Sequence, residues 1–181
     1  MSEAGRGLPD RDQLATIKML LTDVDGVLTD GRVYFDGDGH ELKVLHVHDA
    51  AGLVYWHRAG GISGFLSGRG GKVVENRARE LGVHEVHLKT HDKSSALDEV
   101  LERRGLSAEE VAYIGDDLLD LSVLRRVGLA ISVPNGRPEA QAIAHFVTSS
   151  PGGDGALREV VELLLKARGI WDEVVRKGGL P

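Results

Sequence analysis

Short apolar runs alternate with helical stretches along most of this 181-residue chain. Each run is long enough for one buried strand, and the segments between the runs space their apolar side chains as helices do. Buried strands joined by helices are typical of parallel sheets, because the helices then cover both faces. The pattern therefore predicts a Rossmann-like, three-layer α/β fold with a central parallel sheet. The predicted strands are 17–22, 62–67, 83–88, 111–114, 129–133 and 146–148.

A single domain is expected over residues 15–181. Residues 1–14 are polar and contain glycine and proline, which predicts a flexible tail. The sequence Asp36-Gly37-Asp38-Gly39 is a strong turn signal between two extended segments, and it predicts a β-hairpin over about 32–47. The predicted helices are 50–59 behind an Asp49 N-cap, 72–81, 94–104, 118–127, 138–144, 156–168 and about 171–177.

Composition argues against several classes of function. The net charge of −6 is not that of a general nucleic-acid binder. No apolar run approaches the ~20 residues of a membrane helix, and no secretory signal pattern is visible. The chain contains no cysteine, which excludes disulfides and thiolate metal sites and fits the cytoplasm. We therefore expect a cytoplasmic protein whose partners include neither nucleic acid nor a membrane.

Polar side chains follow four of the predicted strands. In chain order they are Asp23 and Asp25, Ser67 and Arg69, Lys93, and Asp116 with Asp117. Each group alone is typical of an ordinary turn or helix cap. Because ligands of parallel sheets bind outside the carboxyl ends of the strands, the groups together predict one shared crevice.

These residue types suit phosphoryl transfer. Asp23 can attack phosphorus as a nucleophile and form an aspartyl-phosphate. Asp25 can protonate the leaving oxygen and later accept a proton from water, provided that Gly26 makes a turn after it. Ser67 and Lys93 can hold the phosphoryl oxygens and neutralise the developing charge.

The same aspartates predict a magnesium site. Mg²⁺ prefers hard oxygen ligands, and two carboxylates at the end of a buried strand need a cation nearby. The expected ligands are Asp23, the backbone carbonyl of Asp25, Asp116 and, through water, Asp117.

The chain carries motifs that resemble those of the haloacid dehalogenase (HAD) phosphatase superfamily. They are Asp23-Val24-Asp25-Gly26-Val27, Ser67-Gly68-Arg69, Lys93 and Gly115-Asp116-Asp117-x-x-Asp120. The hairpin, Arg77 and the Gly152-Gly153-x-Gly155-Ala156 stretch further resemble one branch, the 3-deoxy-D-manno-octulosonate (KDO) 8-phosphate phosphatases. The similarity runs from about residue 17 to 175.

This resemblance implies a HAD-like fold without a large cap domain, in which the hairpin acts as a flap. It implies a Mg²⁺-dependent phosphatase that converts KDO 8-phosphate to KDO and phosphate through an aspartyl-phosphate. It also implies a homotetramer, in which a neighbouring subunit, and the tail after Trp171, help to close the site; a disordered tail is the alternative. Substrate contact is implied for Thr29, His48, Arg69 and Arg77, the last two lying eight residues apart, or two turns of a helix.

Two residues depart from the pattern of this branch. His48 stands where many members carry arginine, and Asp154 stands where many carry a basic residue. Both changes weaken the positive charge expected around an acidic sugar. A nonulosonate 9-phosphate, derived from KDN or sialic acid, is therefore an alternative substrate.

Other interpretations remain open at this point. A phospho-receiver domain also combines aspartates, a hydroxyl and a lysine, but it places its acidic pair before the lysine, whereas Asp116-Asp117 follow Lys93. An inactive member that scaffolds a partner is a second alternative. His40, His46 and His48 lie near Asp49 and suggest either a transition-metal site or simply the polar residues of a flap.

Overall fold

The computed structural model describes residues 7–179, and within that range it contains eight strands and eight α-helices. The strands are β1 (Met19–Thr22), β2 (Tyr34–Phe35), β3 (Glu41–Leu42), β4 (Ile62–Leu66), β5 (Glu85–His87), β6 (Val111–Ile114), β7 (Leu129–Ser132) and β8 (Phe146–Val147). The helices are α1 (Arg11–Ala15), α2 (Val47–Arg58), α3 (Lys72–Leu81), α4 (Lys93–Arg104), α5 (Leu121–Leu124), α6 (Pro138–Ile143), α7 (Ala156–Ala167) and α8 (Trp171–Arg176).

Six strands form one parallel sheet in the order β5-β4-β1-β6-β7-β8. Every residue of β1, β6 and β7 is buried, because helices cover both faces of the sheet. The predicted three-layer α/β fold with a central parallel sheet is confirmed. The crossover order places the carboxyl ends of β4, β1 and β6 side by side.

Alternate residues of the strands enter two separate hydrophobic cores. Leu20 points with Trp56 and Leu157 into the core beneath α1, α2, α3 and α7. Met19 and Leu21 point with the buried residues of α4, α5 and α6 into the opposite core. The period of two along a strand produces this division.

The start of the domain differs from the prediction. Residues 1–6 of the predicted tail lie outside the described range, but residues 11–14 form most of helix α1. Asp10 and Gln13 form a capping box, and Leu14 is buried against the core. The Asp-x-x-Gln spacing was a helix-start signal that the polar composition of this segment obscured.

The hairpin is shorter than predicted. Only β2 and β3 pair, and helix α2 already begins at Val47, with His46 rather than Asp49 as its N-cap. Asp49 lies inside the first turn of α2 and is buried, where its Oδ1 accepts a hydrogen bond of 2.8 Å from the amide of Arg158. Asp49 therefore joins α2 to α7 instead of starting a helix.

The predicted helix over 118–127 is also divided. A 3-10 turn over Leu118–Asp120 precedes the short helix α5, because the Asp120 side chain binds the backbone ahead of it. Among residues 7–179, no helix is both long and apolar enough to cross a membrane.

Candidate active site

The strand ends meet in a cleft of about 330 Å³. Parallel pairing of β4, β1 and β6 brings Ser67, Asp23 and Asp116 to the same edge of the sheet. The residues that line the cleft are Asp23, Asp25, Gly31, Ser67, Gly68, Arg69, His91, Asp116, Asp117 and Leu119. The shared crevice predicted from the strand ends is therefore present, with Lys93 buried below it.

Asp23 is held from both sides at the floor of the cleft. The amide of Val24 donates a 2.6 Å hydrogen bond to its Oδ1, and Lys93 Nζ lies 3.0 Å from its Oδ2. Burial, followed by the nearby Asp120 carboxylate, raises the pKa of Asp23 to about 6, while Lys93 opposes this shift. The arrangement leaves a fixed carboxylate that further positive charge would keep ionised.

Lys93 is buried between two carboxylates. Its ammonium lies 2.6 Å from Asp120 Oδ1 in addition to its contact with Asp23. Burial by itself would lower the pKa of Lys93, but the two carboxylates outweigh burial and raise it. The hydroxyl of Tyr113, which sequence reasoning missed, donates to the same Asp120 oxygen.

Asp120 organises the loop that carries Asp116 and Asp117. Its Oδ2 accepts hydrogen bonds of 2.9 Å from the backbone amides of both residues. Since Lys93 and Tyr113 occupy Oδ1, both oxygens of Asp120 already have partners. Asp120 thus supports the site rather than presenting a free ligand to it.

Asp116 has the character of a metal ligand. Its Oδ1 is buried, with no hydrogen-bond partner among residues 7–179. Burial, followed by the carboxylates of Asp120 and Asp23, raises the pKa of Asp116 to about 8, although the Lys93 ammonium opposes this shift. Carboxylate oxygens of Asp23, Asp116 and Asp120 lie within 4.8 Å of one another. Asp23 and Asp116 offer hard carboxylate oxygens that suit a divalent cation, while Asp120 supports them.

Gly26 permits the close approach of Asp116 to the first loop. Its φ is +96°, and a Cβ built on it would lie 2.1 Å from Asp116 Oδ2. The turn predicted after Asp25 is therefore present. Asn135, another residue that sequence reasoning missed, ties this turn down by donating a 2.9 Å hydrogen bond to the Gly26 carbonyl.

Ser67 and Asp117 occupy opposite sides of the cleft. Ser67 is buried, and its hydroxyl accepts a 3.2 Å hydrogen bond from the amide of Arg69. Asp117 is exposed, and its Oδ1 accepts from the amide of Leu118 at 2.7 Å. Both side chains reach the cleft, as their positions at strand ends predicted.

Asp25 meets the flap. Its Oδ1 contacts Lys43, which follows β3, while Arg69 Nε lies 3.6 Å from its Oδ2. Lys43 carried no signal in the sequence, because a lysine next to a short hairpin strand is normally solvated. Only the folding of the hairpin onto the domain brings it to Asp25.

Of the four predicted substrate-binding residues, the structure brings only Arg69 to the cleft. The hydroxyl of Thr29 is buried under the first loop, where it accepts from the amides of Gly26 and Gly31. His48 is exposed on α2, packs edge-on against His46 and is not among the residues that line the cleft. The substrate roles of Thr29 and His48 stay predictions.

Arg77 also lies outside the cleft of its own chain. Its guanidinium pairs with Glu80 at 2.7 Å and borders a narrow apolar pocket beneath α2. The expected spacing of two helical turns from Arg69 is wrong, because α3 begins at Lys72 and Arg69 belongs to the preceding turn. His91, which is exposed, also lines the cleft.

The chain resembles known phosphatases in sequence. Residues 68–160 match the family of haloacid dehalogenase-like hydrolases. Over 157 residues the chain is 40% identical to the 3-deoxy-D-manno-octulosonate 8-phosphate phosphatase KdsC of Escherichia coli K12, an alignment that covers 87% of this chain and 84% of the relative.

Two solved structures of phosphatases are also similar to this chain in fold. The 3-deoxy-D-manno-octulosonate 8-phosphate phosphatase of Moraxella catarrhalis, in complex with magnesium, phosphate and KDO, superimposes with a TM-score of 0.90 at 38% identity, covering 93% of this chain and 97% of that one. The cobalt-bound enzyme of Haemophilus influenzae gives a TM-score of 0.87 at 34% identity, covering 92% and 98%.

The fold, the four strand-end motifs and these similarities all indicate the same family, and the similarities extend over nearly the whole length of the protein. The chain belongs to the haloacid dehalogenase-like hydrolases, in the branch that contains the KDO 8-phosphate phosphatases.

Proposed function

We propose that the protein is a Mg²⁺-dependent phosphatase that hydrolyses KDO 8-phosphate to KDO and phosphate. The observation that carries the proposal is the buried group of Asp23, Lys93 and Asp116 at the sheet edge, in a chain 40% identical to a KDO 8-phosphate phosphatase. The similar Moraxella catarrhalis enzyme was solved with magnesium, phosphate and KDO together. We expect the reaction to take place in the cytoplasm.

The residues of the chain supply a two-step reaction. In the first step an Asp23 oxygen forms a bond to phosphorus, the bond from phosphorus to the sugar oxygen breaks, and Asp25 gives that oxygen its proton. In the second step water attacks the same phosphorus and loses a proton to Asp25, which releases phosphate and restores Asp23. Ser67 and Lys93 hold the phosphoryl oxygens during both steps.

Mg²⁺ would be held by Asp23 and Asp116, with the Asp25 carbonyl and Asp117 as further ligands. When bound, it would neutralise negative charge on the phosphoryl group and keep Asp23 ionised. The partnerless Asp116 oxygen and the raised pKa values of Asp23 and Asp116 support this assignment.

A nonulosonate 9-phosphate is the second candidate substrate. Asp154 lies 3.5 Å from His46 where the flap joins α2, and it places a carboxylate where many members of the branch carry a base. A longer acidic sugar would present its carboxylate differently to this region. Arg69, at the side of the cleft, is the cation available to either sugar acid.

We further propose a homotetramer in which a neighbouring subunit covers the flap. The flap exposes apolar side chains that a monomer would leave in water, including Phe35 (65% exposed), Leu42 (51%) and Val44 (64%). The Gly179 carbonyl accepts a hydrogen bond from Arg58 of the same chain, and the expectation that the tail after Trp171 helps to close a neighbouring site rests on the family resemblance alone. Sedimentation equilibrium should give the mass of four chains, and a monomer would contradict the proposal.

The direct test is a phosphate-release screen over sugar phosphates with Mg²⁺. We expect KDO 8-phosphate to be preferred, with nonulosonate 9-phosphates and neutral sugar phosphates in the same panel. Asp23→Asn should abolish phosphate release, because it removes the nucleophile. Asp154→Asn keeps the nucleophile, so a change in the preferred sugar phosphate would show that Asp154 affects substrate selection. Equal turnover of neutral and acidic sugars would contradict the substrate, and full activity of Asp23→Asn would contradict the mechanism.

A further inference from the structure

A ring of four charged side chains joins the flap to the edge of the cleft. Lys43 contacts Oδ1 of Asp25 and lies 2.9 Å from Oε1 of Glu41. The same Glu41 oxygen lies 3.1 Å from Arg69 Nη2, and Arg69 returns to Asp25 Oδ2 at 3.6 Å. Two carboxylates and two cations thus alternate around the ring, so its formal charge is zero.

Burial separates Lys43 from an ordinary surface lysine. Its side chain is only 6% exposed, although it lies beside a two-residue strand. Lysine is rarely buried unless it is paired, and exposed ion pairs contribute little. Lys43 is therefore fixed by its two carboxylate partners, of which Asp25 belongs to the catalytic loop.

The contact divides the two oxygens of Asp25. Lys43 occupies Oδ1, whereas Oδ2 is buried and has no hydrogen-bond partner among residues 7–179. Arg69 Nε lies 3.6 Å from Oδ2, which is beyond hydrogen-bond distance. Oδ2 is consequently the oxygen left to exchange a proton with the substrate.

We propose that Lys43 is a positioning residue, through which the flap orients Asp25 for proton transfer. The proposal rests on the function proposed above, in which Asp25 is the acid and base. With Oδ1 held by Lys43, the proton on Oδ2 passes to the sugar oxygen as its bond to phosphorus breaks and the bond from Asp23 to phosphorus forms.

The choice of leaving group tests this role. A sugar alkoxide needs a proton in order to leave, whereas p-nitrophenolate leaves without one. In single-turnover experiments with Mg²⁺, Lys43→Met should slow phosphoryl transfer from KDO 8-phosphate by about 10-fold to 100-fold, because a misplaced acid loses its alignment. Transfer from p-nitrophenyl phosphate should be nearly unchanged, and Lys43→Arg should recover most of the loss.

Four further variants complete the test. Asp25→Asn should show the same selective loss, and adding Lys43→Met to it should cost nothing more, since both changes remove one function. Glu41→Gln leaves Asp25 and Lys43 in place and should give an intermediate loss, which also serves if Lys43→Met fails to fold. Lys72→Met, at an exposed lysine at the start of α3, is the matched control and should behave as the native protein.

The outcomes separate this proposal from the proposed function. Equal losses with both esters in Lys43→Met, or additive losses in the double variant, would show a merely structural role and overturn the proposal. A selective loss in Asp25→Asn without one in Lys43→Met or Glu41→Gln would overturn it while leaving the phosphatase mechanism intact. No loss in Asp25→Asn would instead overturn the assignment of Asp25 itself.

Discussion

Carboxylates at the sheet edge and carboxylates on the flap are held in opposite ways. At the sheet edge, burial raises the pKa of Asp23 to about 6 and that of Asp116 to about 8. On the flap, the hydrogen bond from Lys43 lowers the pKa of Glu41, and the amide of His40 lowers that of Asp36. The sheet edge therefore concentrates negative charge that a cation can neutralise. On the flap, by contrast, the carboxylates are already stabilised by hydrogen bonds from neighbouring groups.

The two regions also differ in how much of the fold supports them. The loops that line the cleft follow buried strands covered by two hydrophobic cores, while the flap is a pair of two-residue strands with exposed apolar side chains. A change at the sheet edge should alter both stability and reaction rate. A change on the flap should mainly alter the rate of phosphoryl transfer from substrates whose leaving group needs a proton.

The largest expected effect is on stability, at Asp120. Asp120→Ala should lower the free energy of unfolding by about 3–5 kcal/mol, because it leaves Lys93 short of a buried partner and two loop amides without an acceptor. Urea denaturation measures the change. Asp98→Ala, which removes an exposed partner of Arg126, is the control and should have no measurable effect. Similar losses in both variants would contradict the contrast between buried and exposed pairs.

The next effect compares two glycines with positive φ, one in each region. Gly26 (φ +96°) faces Asp116, whereas a Cβ added to Gly39 (φ +83°) in the flap turn would have no atom within 4 Å. Both alanine variants should lose about 1–2 kcal/mol from the left-handed backbone. Only Gly26→Ala displaces Asp116, so its kcat/KM should fall by about 100-fold. A comparable fall in Gly39→Ala would show that the flap turn takes part in the chemistry.

The smallest effect is the pH dependence of stabilisation by Mg²⁺. Folding raises the pKa of Asp116 from 3.8 to about 8, so the metal-free folded state keeps a proton that the unfolded chain has released. Its stability should therefore fall as the pH rises between those two values. Because Mg²⁺ competes with that proton, apparent affinity should rise by up to about tenfold per pH unit below the folded pKa.

Melting temperatures with Mg²⁺ and with EDTA, at about pH 6 and about pH 8.5, measure this dependence. The Mg²⁺-induced increase in Tm should be larger at the higher pH. Asp116→Asn carries no titrating group at this position and should lose most of the dependence. An equal increase at both pH values in the native protein would contradict the raised pKa.

Strand ends were the part of the site most open to prediction. Asp23, Ser67 and Asp116 each follow an apolar run, and parallel pairing of neighbouring strands then brings them together. Helix α3 was predicted with its observed bounds, because Gly82 ends it in the left-handed conformation. Local sequence patterns were enough to predict a residue's position where the strand or helix that carries the residue also sets the direction of its side chain.

Residues that act across elements were not predictable in this way. Lys43 reaches Asp25 only because the hairpin folds back over the cleft, and no periodicity in a two-residue strand reports that. Asn135 is far from Gly26 in sequence, yet it fixes the turn there. The eight-residue spacing predicted that Arg69 and Arg77 lie on one face of a helix, but helix α3 does not include Arg69.

The sequence by itself determined the α/β fold and the sheet edge at which Asp23, Asp25, Ser67, Lys93 and Asp116 gather, because these follow from hydrophobic periodicity and strand order. Only the tertiary structure decided how Asp120 divides its oxygens between Lys93 and the Asp116 loop. It likewise decided that the flap places a lysine on Asp25. Such contacts depend on the packing of distant segments and on the loss of solvent around them, which no local pattern encodes.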